Sequence, residues 1–340
     1  MPQEKPADHP EVKAPKIGVL LLNLGTPDAT GYWPVRRYLK EFLSDPRVIE
    51  TNPLIWWPLL NGVILSVRPQ KSGHAYAKIW DREANDSPLR VITKRQTEKL
   101  AQRLGGSDVM VDFAMRYGNP STESRLRALQ QAGCQKILLV PLYPQYSATT
   151  TATANDKAFD VLKTMRWQPA VRTAPAYFDD PVYIETLAKS IDEGVKHLDF
   201  VPDLVITSYH GMPKTYLERG DPYYCQCLKT TRLVREYLGW AEEKLMVTFQ
   251  SRFGPTEWLQ PYTADTLAAL PTKGVKKIAI LAPAFSVDCI ETLEEIAITG
   301  KEQFMEAGGE HFAYIPCLND SDGGMAMIEQ LVRRELSGWV

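Results

Sequence analysis

The sequence predicts an α/β protein assembled from two copies of one unit, each a four-stranded parallel sheet with helices on both faces. Three observations predict it. Apolar runs of four to eight residues recur without polar alternation, as strands buried on both faces require. Stretches with helical spacing separate those runs. The layout also repeats: Gly133-Cys-Gln-Lys-Ile-Leu-Leu-Val-Pro141 and Gly274-Val-Lys-Lys-Ile-Ala-Ile-Leu-Ala-Pro283 each pass from a helix-stopping glycine, through lysine, into an apolar run closed by proline.

Copy one covers about residues 15–178. It opens with Ile17–Leu22, continues with Val109–Met115 ending in Arg116-Tyr117-Gly118, then a helix over Arg125–Ala132, the run up to Pro141, and Val171–Pro175. Copy two, about 200–320, repeats the order with Leu204–Ser208, Leu245–Phe249, a helix over Ala264–Leu270, the run up to Pro283, and Phe312–Pro316. A helix from Pro181 to Leu198 passes between them. The expected division is a disordered tail (1–15), an N-terminal lobe (16–178), a connecting helix (179–199) and a C-terminal lobe (200–340). The tail mixes charge with proline and has no apolar core of a signal peptide.

The surplus length of copy one lies between Leu22 and Val109 and contains the most apolar stretch, Pro53–Val67. It is about five residues short of a spanning helix and is interrupted by Pro58, so it reads as a sticky lip over the end of the first strand. Thirty-nine basic residues against 41 acidic give a net charge of −2, which recruits no polyanion and argues against nucleic acid as a partner. Five scattered cysteines, with only Cys225 and Cys227 close together, do not make a secreted disulfide framework, and a cytoplasmic location is expected. No Gly-x-Gly-x-x-Gly or P-loop appears, which takes most of the weight from the dinucleotide and ATP readings.

In doubly wound sheets ligands sit beyond the carboxyl ends of the strands, so the loops there carry the function. Asn23-Leu24-Gly25-Thr-Pro27 follows the first strand and alone reads as a turn into a helix. Tyr143-Pro-Gln-Tyr146-Ser147 precedes a threonine-rich helix start, which suits a carboxylate or equally a plain N-cap. His210, in Ser208-Tyr-His-Gly-Met-Pro213, stands at a strand end against a tight turn, where an imidazole can exchange protons near neutrality. Asp288, Glu291, Glu294 and Glu295 cluster at the last post-strand loop. They form either a proton relay able to hold a cation briefly or an acidic first turn with Asp288 as N-cap. Phe253, Trp258 and Tyr262 supply core aromatics or walls for a flat ligand.

Jointly, Asn23-Leu-Gly-Thr-Pro, Met115-Arg-Tyr, Tyr143-Pro-Gln-Tyr-Ser, Ser208-Tyr-His-Gly-Met-Pro, Gly220-Asp-Pro-Tyr, Gln250-Ser-Arg-Phe-Gly-Pro-x-x-Trp258 and Asp288-Cys-Ile-Glu-Thr-Leu resemble the ferrochelatase family, from about Lys16 to Leu336. The resemblance implies two Rossmann-like lobes with a cleft between them, and insertion of Fe2+ into protoporphyrin IX, the last step of protohaem synthesis. It implies that His210 and Glu291 are the essential pair, facing each other across the porphyrin and able to touch the metal. Leu24, Trp258 and Phe285 fall on macrocycle contacts, and Arg116 and Tyr117 on cleft positions of the first half. The lip, 53–67, resembles a segment that rests on the membrane in some members, so peripheral contact is expected. Fe2+ is then a substrate. No resident cofactor is expected, because the cysteine-rich extension that holds an iron–sulfur cluster in other members has no counterpart here. Many members also have histidine where this chain has Cys289.

The reaction explains the residue types. A free-base porphyrin carries two inner N–H protons that the ion must displace, so a base and an acidic relay are required. Other readings are a two-lobed carrier of haem or another tetrapyrrole without chemistry, and a chelatase for coproporphyrin or for cobalt or nickel.

Overall fold

The computed structural model describes residue 8, residues 14–106 and residues 108–340. Apart from residues 8, 14 and 15, the expected tail lies outside the described residues. Eight strands form: β1 (Lys16–Thr26), β2 (Val109–Gly118), β3 (Cys134–Pro141), β4 (Ala170–Thr173), β5 (Leu204–His210), β6 (Leu245–Gln250), β7 (Lys277–Leu281) and β8 (His311–Tyr314). They make two all-parallel sheets of the same order, β2-β1-β3-β4 and β6-β5-β7-β8. The internal repeat is thus a structural one. In each sheet the order reverses beside the first strand of the lobe, and the crevice at that switch point opens between β1 and β3, or between β5 and β7.

Every strand the repeat predicts is present. The unbroken apolar runs are buried on both faces, as Val19–Leu22 and Val205–Ile206 show, with no exposed surface. β1 and β2 run further than expected, to Thr26 and Gly118, because each continues pairing with the other: Asn23 lies opposite Met115 and Gly25 opposite Tyr117. Gly25 has φ 116°, and a Cβ there would stand 1.9 Å from the Tyr117 carbonyl oxygen, so only glycine permits this approach.

One core joins the lobes. Ile17, Val19, Leu21, Leu138 and Val140 from the first sheet share it with Val205, Ala279 and Leu281 from the second. The helix Pro181–Lys196, expected between the copies, lies there with Tyr183, Ile184, Leu187, Ala188 and Ile191 buried. The last helix, Asp322–Glu335, adds Met325, Ile328 and Leu331 to the same core and meets the first lobe through Arg103, which pairs with Glu329 at 3.4 Å. The outer faces have separate cores. The surplus of copy one folds into the helices Tyr32–Leu43, Pro53–Leu59 and Leu65–Ile79, with a wide π turn at Leu60–Ile64.

Candidate functional site

The site is built where β5, β6 and the loop after β7 end side by side. His210 is the last residue of β5 and pairs in register with Gln250, the last of β6. The following Gly211 donates its N–H to the Gln250 carbonyl at 2.8 Å. A Cβ on Gly211 would lie 2.6 Å from that oxygen and 3.2 Å from the Trp258 ring, so glycine sets how closely the histidine turn meets both. The Gln250 side chain is fixed at its two ends. Its Oε1 accepts from Ser208 at 2.8 Å, and its Nε2 donates to the Glu291 carbonyl at 2.8 Å. Gln250 therefore ties the histidine strand to the acidic helix.

His210 Nδ1 lies 2.6 Å from the Gly211 carbonyl oxygen. A carbonyl can only accept, so Nδ1 carries the hydrogen and the neutral ring keeps its Nε2 lone pair free. That is the tautomer a base needs.

The acidic helix begins at Cys289, whose side chain caps it reciprocally with Thr292. After Ile290–Leu293 the chain widens into a π turn over Glu295–Gly300, a geometry common at functional sites. Glu295 is held by Ser251, which donates its N–H at 2.7 Å and its hydroxyl at 2.6 Å. Ser251 adopts φ 64°, a left-handed conformation that costs a non-glycine residue energy and here directs both donors at one carboxylate. Burial pushes the Glu295 carboxyl up from its ordinary range. Ser251 and the charge of His210 pull it back, and Glu291 raises it further.

Glu295 thus feels both His210 and Glu291. Both stand on the C-terminal lobe, because β5 and β7 are neighbours in one sheet. The opposing lobe contributes Tyr38, Arg68 and Tyr76, each of which feels the Glu291 charge. Arg68 also stacks over Phe253 at 5.0 Å, bridging the lip helix to the loop after β6.

The other expected relay carboxylates are diverted. Asp288 is buried and accepts from Tyr314 at 2.6 Å, Asn319 at 2.6 Å and Thr292 at 2.9 Å, and Cys289 rather than Asp288 takes the N-cap. Glu294 turns to the lip helix and pairs with Lys78 at 2.8 Å. Helical spacing places four acids together, but of these Glu295 is the one that feels the histidine, and Glu291 acts on Glu295.

Of the expected macrocycle contacts, Trp258 lies beside Gly211, and its indole N–H has no acceptor among the described residues. Phe285 is half-buried and packs with Val287 and Cys289 against Leu89 and Ile92 of the first lobe. Leu24, also half-buried, packs against the cluster that contains Tyr117. Tyr117 itself is wholly buried behind Leu24, its hydroxyl donating to Asp45 at 2.8 Å. Arg116 is held by Asp45 and Thr153 on a cleft whose lining includes neither His210 nor Glu291. The Ser147 loop is already filled by a carboxylate of the other lobe: Asp221 accepts from the Ser147 hydroxyl at 2.9 Å and the Ala148 N–H at 2.8 Å. Tyr146 donates its N–H to Gln226 at 2.7 Å. These two residues latch the lobes together instead of presenting free donors.

Sequence reasoning missed Gln250, Ser251, Arg68, Asp45 and Asp221 as site or support residues. Gln250-Ser-Arg and Gly-Asp221-Pro were visible as motifs, but their partners lie 41 or more positions away and only the fold supplies them.

The ferrochelatase family profile matches residues 16–336. A ferrochelatase of Allorhizobium ampelinum is 61% identical over 336 residues, covering 98% of each chain. The chain belongs to the ferrochelatase family. A ferrochelatase of Chelativorans sp. is 60% identical, covering 99% of this chain and 96% of its own. With the family goes its reaction, insertion of Fe2+ into protoporphyrin in haem synthesis, and the chain is a ferro-lyase. The carrier reading and those of a chelatase for coproporphyrin or another metal are not favoured. Among solved structures, SirB from Bacillus subtilis with Fe3+ has a TM-score of 0.57 at 12% identity, covering 95% of this chain and 97% of that one. The sirohydrochlorin chelatase SirB from a Bacillus subtilis subspecies, in complex with cobalt, has a TM-score of 0.54 at 9% identity, covering 94% and 95%. Both show the shared chelatase-like fold.

Proposed function

We propose that Fe2+ enters protoporphyrin IX at the wall formed by His210, Glu291 and Glu295, with release of the two inner protons. The observation that carries this reading is that Gln250, the register partner of His210, donates to the Glu291 carbonyl at 2.8 Å and to the Glu295 carboxylate at 3.4 Å, and so ties the histidine strand to the acidic helix. The macrocycle lies between Leu24 of the first lobe and Trp258 and Phe285 of the second. Contacts along its faces bend it and turn the nitrogen lone pairs toward the ion. Neutral His210 takes a pyrrole proton on Nε2. Glu295, whose proton affinity burial and the Glu291 charge raise, takes that proton from the imidazolium and releases it to water, and the Nε2 lone pair is restored for the second transfer. Glu291, assisted by His210, replaces water around Fe2+ as the ion leaves solvent.

Fe2+ is a substrate in this reading, and no step of it calls for a resident cofactor. The lip supports a further element. Leu54, Ile55, Trp57 and Val67 are each at least 66% exposed, and among the described residues no helix is long and apolar enough to cross a membrane. We place this surface against the headgroup region on the cytoplasmic side of a membrane, where a poorly soluble porphyrin would arrive.

Anaerobic incubation with protoporphyrin IX and Fe2+ tests the function through loss of free-base fluorescence. Glu291→Gln separates catalysis from mere binding: it should lose about two orders of magnitude in rate and still quench porphyrin fluorescence on binding. Unchanged turnover would remove Glu291 from the mechanism.

A further inference from the structure

Arg116 is fixed on a face separate from His210. Its Nε donates to the carbonyl and hydroxyl oxygens of Thr153 at 3.0 and 2.7 Å, and its Nη2 to Asp45 at 2.5 Å. Nη1 makes no hydrogen bond to a described residue, and the side chain borders an open cleft of about 990 Å³. The cleft lies between the helices Tyr32–Leu43 and Thr153–Lys163, with residues 44–53 as its third wall. Tyr117, stacked on the guanidinium at 4.3 Å, separates it from Leu24.

Formal charges around the cleft balance, but their availability does not. Asp45 is committed to Arg116, Asp156 to Arg47 at 2.8 Å, and Asp160 to Lys163 at 2.5 Å. Glu50 pairs with Arg219, and Glu41 accepts the Gly118 N–H at 2.9 Å. Arg37, Lys40 and Lys157 line the same cleft with no salt-bridge partner among the described residues. A preoriented guanidinium edge with three cations lacking a close counter-ion is the donor set of an oxyanion site.

We infer that this cleft is a second ligand site, taking a small multiply charged oxyanion, a phosphate or a polycarboxylate, on the free edge of Arg116 with Lys40 and Lys157 at the rim. The inference stands on this geometry and is independent of where the porphyrin binds. Isothermal titration of the full chain with inorganic phosphate and, separately, with citrate tests it, at an ionic strength held constant with sodium chloride. Saturable binding of at least one anion is expected, and the stronger of the two names the source. The double variant Lys40→Ala/Lys157→Ala should weaken it about tenfold, while chelation and the unfolding midpoint stay unchanged. Arg116→Lys keeps a cation beside Asp45 but removes the fork and should weaken binding comparably. If that variant does not fold, the rim pair decides. No saturable heat with either anion, or equal affinity in the rim variant, overturns the inference.

Discussion

Ser251 lowers the proton affinity of Glu295 against the larger effect of burial, and that can be read in the pH dependence. Burial raises the Glu295 carboxyl, and the Ser251 hydroxyl, at 2.6 Å, stabilises its ionised form. Ser251→Ala removes that hydrogen bond, so the proton affinity of Glu295 rises further. The acid limb of the rate profile should then move to higher pH. An unshifted limb would exclude Glu295 from the relay. Linkage gives a second signature: a carboxyl raised in the folded state costs stability as pH climbs from its unfolded value through its folded one. Asp45 has the opposite sign. Burial would raise it, but Thr153, the Arg47 N–H, Tyr117 and the Arg116 charge outweigh burial and hold it low. Its contribution is therefore complete above an unfolded value of about 4 and is lost as pH falls through the depressed folded value. Asp45→Ala also strands Arg116, so urea unfolding near pH 7 should show a loss of about 3 kcal/mol. That deficit should shrink on acidification below about pH 4. A pH-independent deficit would contradict the ion pair. Such residues were partly legible. His210 and Glu291 stood out because an imidazole at a strand end and an acid at a helix start are locally visible. Gln250 and Asp45 did not, since a polar residue at an element end reads as loop until its distant partner is known.

At the scale of elements, the strands were readable because continuous apolar runs buried on both faces leave a plain trace, and all eight fall where the repeat put them. The ends were less so. Asn23, Gly25, Arg116 and Tyr117 continue β1 and β2 through mutual pairing, which no apolar signal marks. The acidic helix was readable as an element but not in its detail. Cys289 rather than Asp288 caps it, and the π turn after Leu293 rotates Glu295 toward Ser251. The lip was legible as an apolar surplus broken by Pro58, and its helices complete it with Leu60 and Leu65 buried while Leu54 and Trp57 face outward. This division predicts that Leu54→Ser/Trp57→Ser lowers co-sedimentation with anionic phospholipid vesicles severalfold. Chelation of detergent-dispersed porphyrin should be unaffected, because neither side chain packs in a core. Equal sedimentation of variant and parent would remove the lip from membrane contact.

The whole molecule explains why the site resides on one lobe yet needs both. A repeated unit places two switch-point crevices in one chain, and the two lobes bring different side chains to them. The first lobe offers Leu24 and the lip helices, while the second holds His210, Glu291 and Glu295. The shared core and the Asp221 latch at Ser147 keep the halves in register, two residues' reach from the histidine turn, since the Ser147 hydroxyl also touches Met212 at 3.4 Å. Two lobes were legible from the repeat. Their fusion through the connecting helix and the last helix was not, because the buried faces of both helices look like those of any amphipathic helix. The central claim is that His210 removes the protons that Fe2+ must displace. Anaerobic stopped-flow mixing of His210→Ala with protoporphyrin IX and Fe2+ measures it most directly. Porphyrin should still bind with near-parental affinity while the metallation phase slows by at least about a hundredfold. Metallation at the parental rate would contradict the account.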